Sequence, residues 1–114
     1  MEARGRQFTF RGELLGASSS RRPNSSRWAE ISIFKTVDDE YVVAGVGRSR
    51  YDGERDRHWA HVCQTPAAVV EQLHQYDDDN IRYITKVACS ALTEAGERDP
   101  ELLAAFLTEN LTPM

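Results

Sequence analysis

Apolar and polar positions alternate with a period of two through the first half of the chain, which predicts β-strands with one buried face. The stretches that carry this pattern are residues 7–16, 27–36, 41–51 and 57–64. In the second stretch, Ala29, Ile31 and Ile33 point to one side. Its other side still carries Trp28 and Phe34. We therefore expect a central strand, or one whose second face is covered by a helix or a partner.

The connections between these strands are short and rich in turn residues. Ala17 to Arg27 is a run of small polar residues with a proline, which predicts the most mobile internal loop. The pair Asp52-Gly53 marks a tight turn between the last two strands. Because parallel strands need longer crossovers, we predict an antiparallel meander. One side of its first strand carries Phe8, Phe10, Gly12 and Leu14.

The second half of the chain has helical spacing and three start signals. Thr65-Pro66 predicts a helix that continues to Tyr76. Asp79 or Asn80 is expected to cap a second helix over residues 81–95, and Asp99-Pro100 a third. The apolar stripe predicted for the second helix is Ile81, Ile84, Ala88, Ala91, Leu92 and Ala95, and the residues predicted to face inward in the third are Leu102, Leu103, Phe106 and Leu107.

These elements predict one α+β domain over residues 1–114, with a four-stranded antiparallel meander followed by three helices packed on one face. Residues 1–64 form its strand-rich half and residues 65–114 its helical half. A chain of 114 residues has the size of a single core. It has neither a long apolar run nor a signal-like N-terminus, so we expect a cytoplasmic protein without a membrane partner. The long apolar stripe of the last helix also suits a homodimer through the helical half.

Charge divides unevenly between the two halves, although the net charge is only −4. Residues 1–60 carry 11 basic and 9 acidic groups, whereas residues 61–114 carry 3 basic and 9 acidic groups. The acidic helical half would suit a basic partner protein. Arginine outnumbers lysine twelve to two, a bias that either codon usage or bidentate recognition of anions explains.

Candidate catalytic and metal-binding residues are few. His58, His61 and Cys63 lie close in sequence, but a structural zinc site needs four ligands and the chain has no CxxC pair. Cys63 and Cys89 have apolar neighbours, which predicts buried thiols rather than a disulfide or a nucleophile. The acidic run 77–79 lacks the spacing of a calcium loop. We predict no catalytic residue, metal or cofactor, and an enzyme with an unrecognised His/Cys site is the least favoured alternative.

A binding surface is predicted where the loops over residues 17–27 and 48–58 emerge at the same end of the meander. Their arginines would form a rim with aromatic side chains close enough to stack on a ligand. Interleaved acids such as Glu54 and Asp56 would neutralise part of that charge. The predicted binding residues are Arg21, Arg22, Arg27, Trp28, Arg48, Arg50, Tyr51, Arg55, Arg57 and Trp59.

The leading functional prediction is a non-enzymatic protein-binding module, an adaptor, regulator or inhibitor of a larger protein or complex. The missing catalytic constellation and the surface of aromatic and charged residues motivate it. The alternative is a nucleic-acid-binding accessory protein that uses the arginine rim.

Overall fold

The structure is a computed structural model that describes residues 2–3, 6–7, 12–51 and 53–111, with side chains over 12–51 and 53–108. Its strands are β1 (Glu2–Ala3), β2 (Arg6–Gln7), β3 (Gly12–Ser19), β4 (Arg27–Thr36), β5 (Tyr41–Ser49), β6 (Arg57–Cys63), β7 (His74–Tyr76) and β8 (Arg82–Ile84). Its helices are α1 (Pro66–Leu73), α2 (Lys86–Gly96) and α3 (Pro100–Leu111).

The main sheet confirms the predicted α+β architecture. Its four strands follow one another in the order β3-β4-β5-β6, and every pair is antiparallel. The helices lie on one face, where α2 packs on β3 and β4, and α1 packs on β5 and β6. The predicted inward side of β4 is confirmed, since Ile31 and Ile33 are buried in the core. Two small antiparallel pairs, β1-β2 and β7-β8, were not predicted.

The edge strand β3 ends later than the pattern predicts. It continues to Ser19, so the predicted loop over 17–27 shortens to residues 20–26. Phe8 and Phe10, which we expected in this strand, lie outside the described residues.

A β-bulge in β3 sets which of its side chains enter the core. The pairing with β4 shifts between Leu14 and Gly16. Leu14 is left 43% exposed while Leu15 is buried. At Gly16 the strand meets α2 directly, because a Cβ built there would lie 2.5 Å from the carbonyl oxygen of Ala91 and from the backbone nitrogen of Ala95. Only glycine permits this approach of helix and strand.

The first two helices are shorter than predicted, because a hairpin separates them. Thr65 caps α1 as expected, but the helix ends at Leu73. The next helix begins at Lys86, capped by the Thr85 hydroxyl, which accepts a hydrogen bond from the N–H of Ala88. Asp79 and Asn80 therefore cap no helix, and the predicted start at residue 81 is wrong.

The hairpin between α1 and α2 pairs β7 with β8 around a turn at residues 77–81. One carboxylate oxygen of Asp77 accepts hydrogen bonds from the N–H groups of Asp79 and Ile81. Asn80 adopts a left-handed conformation with φ 62°. Side-chain hydrogen bonds of this kind compete with the helix and favour a turn. Ile81 is consequently 50% exposed and does not join the apolar stripe.

Asp99 connects α3 to the sheet through a buried carboxylate. Its side chain is buried, and Oδ1 accepts hydrogen bonds from the N–H groups of Glu101 and Leu102 at the start of α3. Oδ2 accepts a hydrogen bond of 2.7 Å from the Tyr41 hydroxyl and lies 3.5 Å from the Lys35 ammonium. The predicted Asp99-Pro100 start is thus confirmed.

Burial alone raises the pKa of Asp99, but hydrogen bonds from Tyr41 and Leu102 and the charge of Lys35 outweigh it, so this pKa lies below its usual value. Along α3, Leu102 and Phe106 are buried as predicted. Leu107, which we expected to face inward, is 48% exposed.

Replacing Gly16 by alanine is expected to lower the free energy of unfolding by about 2–4 kcal/mol, because the new methyl group must displace the backbone of α2. Gly47→Ala is the matched control, since a Cβ at Gly47 meets no atom within 4 Å. Its effect should stay within about 0.5 kcal/mol. Urea denaturation measures both, and equal effects at the two glycines would contradict the close contact.

Asp99→Asn should lower the free energy of unfolding by roughly 1–2 kcal/mol at neutral pH, since it removes a buried charge that Tyr41 and Lys35 stabilise. The folded-state pKa of Asp99 lies below the usual 3.8, so the unfolded chain takes up a proton first as the pH falls. The difference between wild type and variant should therefore shrink as the pH falls towards about 3. Urea denaturation at several pH values tests this, and a constant difference would contradict it.

Candidate functional site

The loop between β3 and β4 and the loop between β5 and β6 lie together at one end of the sheet. The backbone N–H of Arg50 donates a hydrogen bond of 2.9 Å to the carbonyl oxygen of Ser26. Arg27 pairs with Ser49 where β4 and β5 meet at this end. We call this region the arginine end and define it by residues 20–28 and 47–57.

Trp28 is the aromatic centre of the arginine end. The guanidinium carbon of Arg21 lies 4.8 Å from the centroid of its ring, and that of Arg50 lies 5.8 Å away. Its indole Nε1–H donates a hydrogen bond of 2.9 Å to Glu30. Trp28 is therefore already engaged by cation–π contacts within its own chain. A base could stack on it only after displacing an arginine.

Two arginines at this end are held by ion pairs. Arg27 contacts Glu54 at 2.9 Å, and its guanidinium also lies over the ring of Tyr51, 5.0 Å from the centroid. Arg48 bridges Glu30 at 2.9 Å and Asp56 at 2.8 Å. The hydrogen bonds from Arg48 and Trp28 lower the pKa of Glu30, and the one from Arg27 lowers the pKa of Glu54.

The remaining arginines form no ion pair with a described residue, although the charges of Arg21 and Arg57 help to lower the pKa values of Glu30 and Glu54. Within the described part of the chain, no carboxylate lies in ion-pair distance of the guanidinium groups of Arg21, Arg22, Arg50, Arg55 and Arg57. All five residues are exposed. The predicted neutralisation by interleaved acids thus applies to only part of the rim, and a positive surface remains.

A groove of about 570 Å³ opens at the arginine end. Its lining residues are Arg27, Trp28, Gly47, Arg48, Ser49, Glu54, Arg55 and Arg57. The pairing register places Gly47 between Ala29 and Arg57 on one face of the sheet. Because Gly47 has no side chain and nothing lies above it, it leaves the floor of the groove open. We call this the Gly47 groove.

A second, smaller depression of about 280 Å³ lies against the face of the sheet that the helices leave uncovered. It combines the apolar side chains of Phe34 and Val46 with the polar groups of Glu30 and His58. Arg48 lines this depression as well as the Gly47 groove. The sequence pattern predicts that β4 is central or that a helix or a partner covers its second face, and this depression lies on that second face.

Trp59 is the predicted binding residue that the fold places elsewhere. It pairs with Gly45, and its ring lies directly over that glycine, on the side of the sheet where the core is. Trp59 is half-buried against the core and is absent from the lining of the Gly47 groove. Trp28 points to the opposite face, because it pairs with Arg48 one position along. The two tryptophans therefore do not form one stacking surface.

The three candidate metal or catalytic residues of β6 are divided between two faces. His58 pairs with Val46 on the uncovered face, whereas His61 and Cys63 face the helices. Among the described residues, no group of three His, Cys, Asp or Glu side chains is placed to hold a metal ion. Burial raises the pKa of both the Cys63 and the Cys89 thiols, which leaves little thiolate for nucleophilic chemistry.

Comparison with known proteins finds no matching family model, no matching curated protein and no matching solved structure. The physical features of the surface therefore carry the functional argument. The helices of the described chain are also too short and too polar to cross a bilayer.

Sequence reasoning found the arginines of this end but missed the glycine between them. A glycine inside a strand pattern is typical of a close backbone approach or a bulge, whereas Gly47 leaves open space. The signal that could have found it is the pairing register, because Gly47 falls opposite Arg57, between arginine-bearing strands. Without the strand register, the sequence does not distinguish a glycine that lets a neighbouring group pack closely from a glycine that leaves open space.

Both thiols are expected to react with a disulfide reagent at neutral pH at least about tenfold more slowly in the folded protein than in the unfolded chain. Burial and a raised pKa together cause this protection. A colorimetric thiol assay with and without urea measures it. Fast reaction of one thiol in the folded state would instead indicate an activated cysteine.

Proposed function

We propose that this protein is a non-enzymatic protein-binding module whose Gly47 groove binds an acidic segment of a partner protein. The observation that carries the proposal is an open groove over Gly47 whose walls include Arg55 and Arg57, two arginines without an ion pair among the described residues. Planar guanidinium groups bind carboxylates in bidentate fashion, with both charge and geometry. A partner carboxylate in this groove supplies the missing counter-charge.

The aromatic groups of the arginine end support a protein ligand. Arginine and tryptophan are the residue types most enriched at the energetic centres of protein interfaces. Here Trp28 and Tyr51 are held by cation–π contacts with arginines of the same chain, so they present rigid surfaces. Rigid contact groups lose less conformational freedom on binding, which favours affinity.

Nucleic-acid binding is the second candidate, favoured by the five arginines without ion pairs. Two observations weigh against it. Glu54 lines the groove itself, and Glu30 and Asp56 hold Arg48, so phosphates would meet carboxylates among the cations. Arg21 also stacks on the ring of Trp28 and Arg27 on that of Tyr51, so a base would compete with an arginine for these rings.

A direct test places a side chain on the open floor of the groove, at Gly47. Gly47→Val should weaken binding of a purified partner, identified by co-purification from the native host, by at least about tenfold, because the side chain fills the groove. The change removes no charge, and nothing near Gly47 clashes with a Cβ. Isothermal titration calorimetry measures the affinity, and thermal unfolding confirms that the fold is unchanged.

Charge variants complete this test. Arg55→Ser with Arg57→Ser should also weaken binding, whereas Lys86→Ser, an exposed cation at the start of α2, should not. Titration of single- and double-stranded oligonucleotides at about 50 and 200 mM salt separates the two candidates. Salt-dependent oligonucleotide binding that Gly47→Val leaves intact would contradict the proposal and favour the nucleic-acid function.

A further inference from the structure

The hairpin formed by β7 and β8 carries exposed aromatic side chains on both of its faces and exposed acids at its turn. Tyr76 is 54% exposed, Ile81 50% and Tyr83 43%, although such side chains are usually buried. Asp78 and Asp79 at its turn are exposed as well. We call these five residues the hairpin tip.

The base of the hairpin is held to the rest of the domain. Arg82 forms an ion pair of 3.3 Å with Glu71 of α1, which fixes the base of the hairpin. Asp77 N–H donates to the carbonyl oxygen of Ile81, and Asp77 Oδ1 accepts from two N–H groups of the turn. The hydrogen bonds within the turn are thus made by Asp77, and the carboxylates of Asp78 and Asp79 make none in the described structure. They are available to a partner.

We propose that the hairpin tip of one copy of this protein docks into the Gly47 groove of a second copy. This inference rests on the proposed function, because it assigns the chain's own hairpin as one acidic segment that the groove accepts. The partner is a second copy because both complementary surfaces lie on the same molecule. The groove offers Arg55 and Arg57 without ion pairs, and the tip offers two carboxylates without partners.

The aromatic side chains of the hairpin tip complement the arginine end, as its charges do. The arginine end already holds the ring of Tyr51 under Arg27 and the ring of Trp28 beside Arg21. Tyr76 of the hairpin tip presents a further ring of the same kind to those arginines. A two-stranded hairpin is also narrow, with strands about 5 Å apart, so its tip can enter a groove of about 570 Å³.

The contact joins two different surfaces, so it is heterologous, and a pair of docked copies keeps one free groove on one copy and one free hairpin tip on the other. Self-docking therefore covers the groove and competes with a partner protein for it. Because the contact pairs exposed charges, it weakens as salt rises. Self-association and partner binding are then mutually exclusive states of the same groove.

The test uses two variants, one altered only in the groove and the other altered only at the hairpin tip. The groove variant is Gly47→Val with Arg57→Ser, and the tip variant is Tyr76→Ser with Asp78→Asn. Analytical ultracentrifugation of wild type at about 50 mM salt should show a mass that rises with protein concentration, and the association constant should fall at least about tenfold at 500 mM. Each variant alone should stay monomeric.

Mixing the two variants decides the geometry. The intact tip of the groove variant fits the intact groove of the tip variant, so an equimolar mixture should give one-to-one dimers and nothing larger. The control Glu94→Gln with Glu97→Gln removes two exposed acids from α2 and should associate like wild type. Thermal unfolding checks that each variant folds.

The outcomes separate this inference from the proposed function. Wild type that stays monomeric at every concentration, a variant that still associates alone, or a mixture that stays monomeric overturns self-docking. If wild type is monomeric while Gly47→Val still abolishes partner binding, only self-docking fails. If the mixture forms dimers and no partner protein binds the groove, self-docking stands and the wider proposal fails.

Discussion

The carboxylate of Asp99 fixes the helical layer to the sheet, and the rest of the architecture is arranged around that contact. A buried carboxylate is tolerated only when hydrogen bonds and opposite charge replace its lost hydration. Here two N–H groups of α3, the Tyr41 hydroxyl and the Lys35 ammonium do so together. Lys35 and Tyr41 pair with each other across β4 and β5. The contacts of the Asp99 carboxylate therefore join the start of α3 to the end of this strand pair.

The same two strands carry the binding surface at their other end. β5 runs from Tyr41 to Ser49, about 25 Å in an extended chain, so the arginine end lies far from the Asp99 contact. A pair of long, hydrogen-bonded central strands is a rigid support for a binding site. Gly47 lies on the same face of the sheet as the core residues Tyr41 and Val43, but beyond the area that the helices cover, so the groove over it stays open to a partner.

Much of the fold could be predicted from short sequence motifs, because the hydrogen bonds that these motifs make also join residues that are close in sequence. Thr65-Pro66 and Asp99-Pro100 start helices through hydrogen bonds to residues within three positions. The structure of the stretch from Ile81 to Ala88 was predicted wrongly, because its apolar residues, spaced by three and four positions, also fit a helix. The turn made by Asp77 and the cap made by Thr85 overrode that periodicity.

The bulge at Leu14 and Leu15 could not be predicted for a different reason. It depends on the contact of Gly16 with α2, a helix about 75 residues away in sequence, and no local pattern encodes such a contact. The arginine end falls between these cases. The meander topology predicted that its loops meet, but the pairing register was needed to separate Trp28 from Trp59 and to reveal the open floor at Gly47.

These two tryptophans also provide the most direct measurement of the central claim, that the arginine end is the surface on which a partner docks. Each indole N–H gives a resolved signal in a nitrogen–proton correlation spectrum, and the chain contains only these two. Addition of a binding partner should shift the signal of Trp28, at the centre of the arginine end, and leave that of Trp59, which packs against the core. A shift of Trp59 alone, or of neither signal on saturation with the partner, would contradict the account.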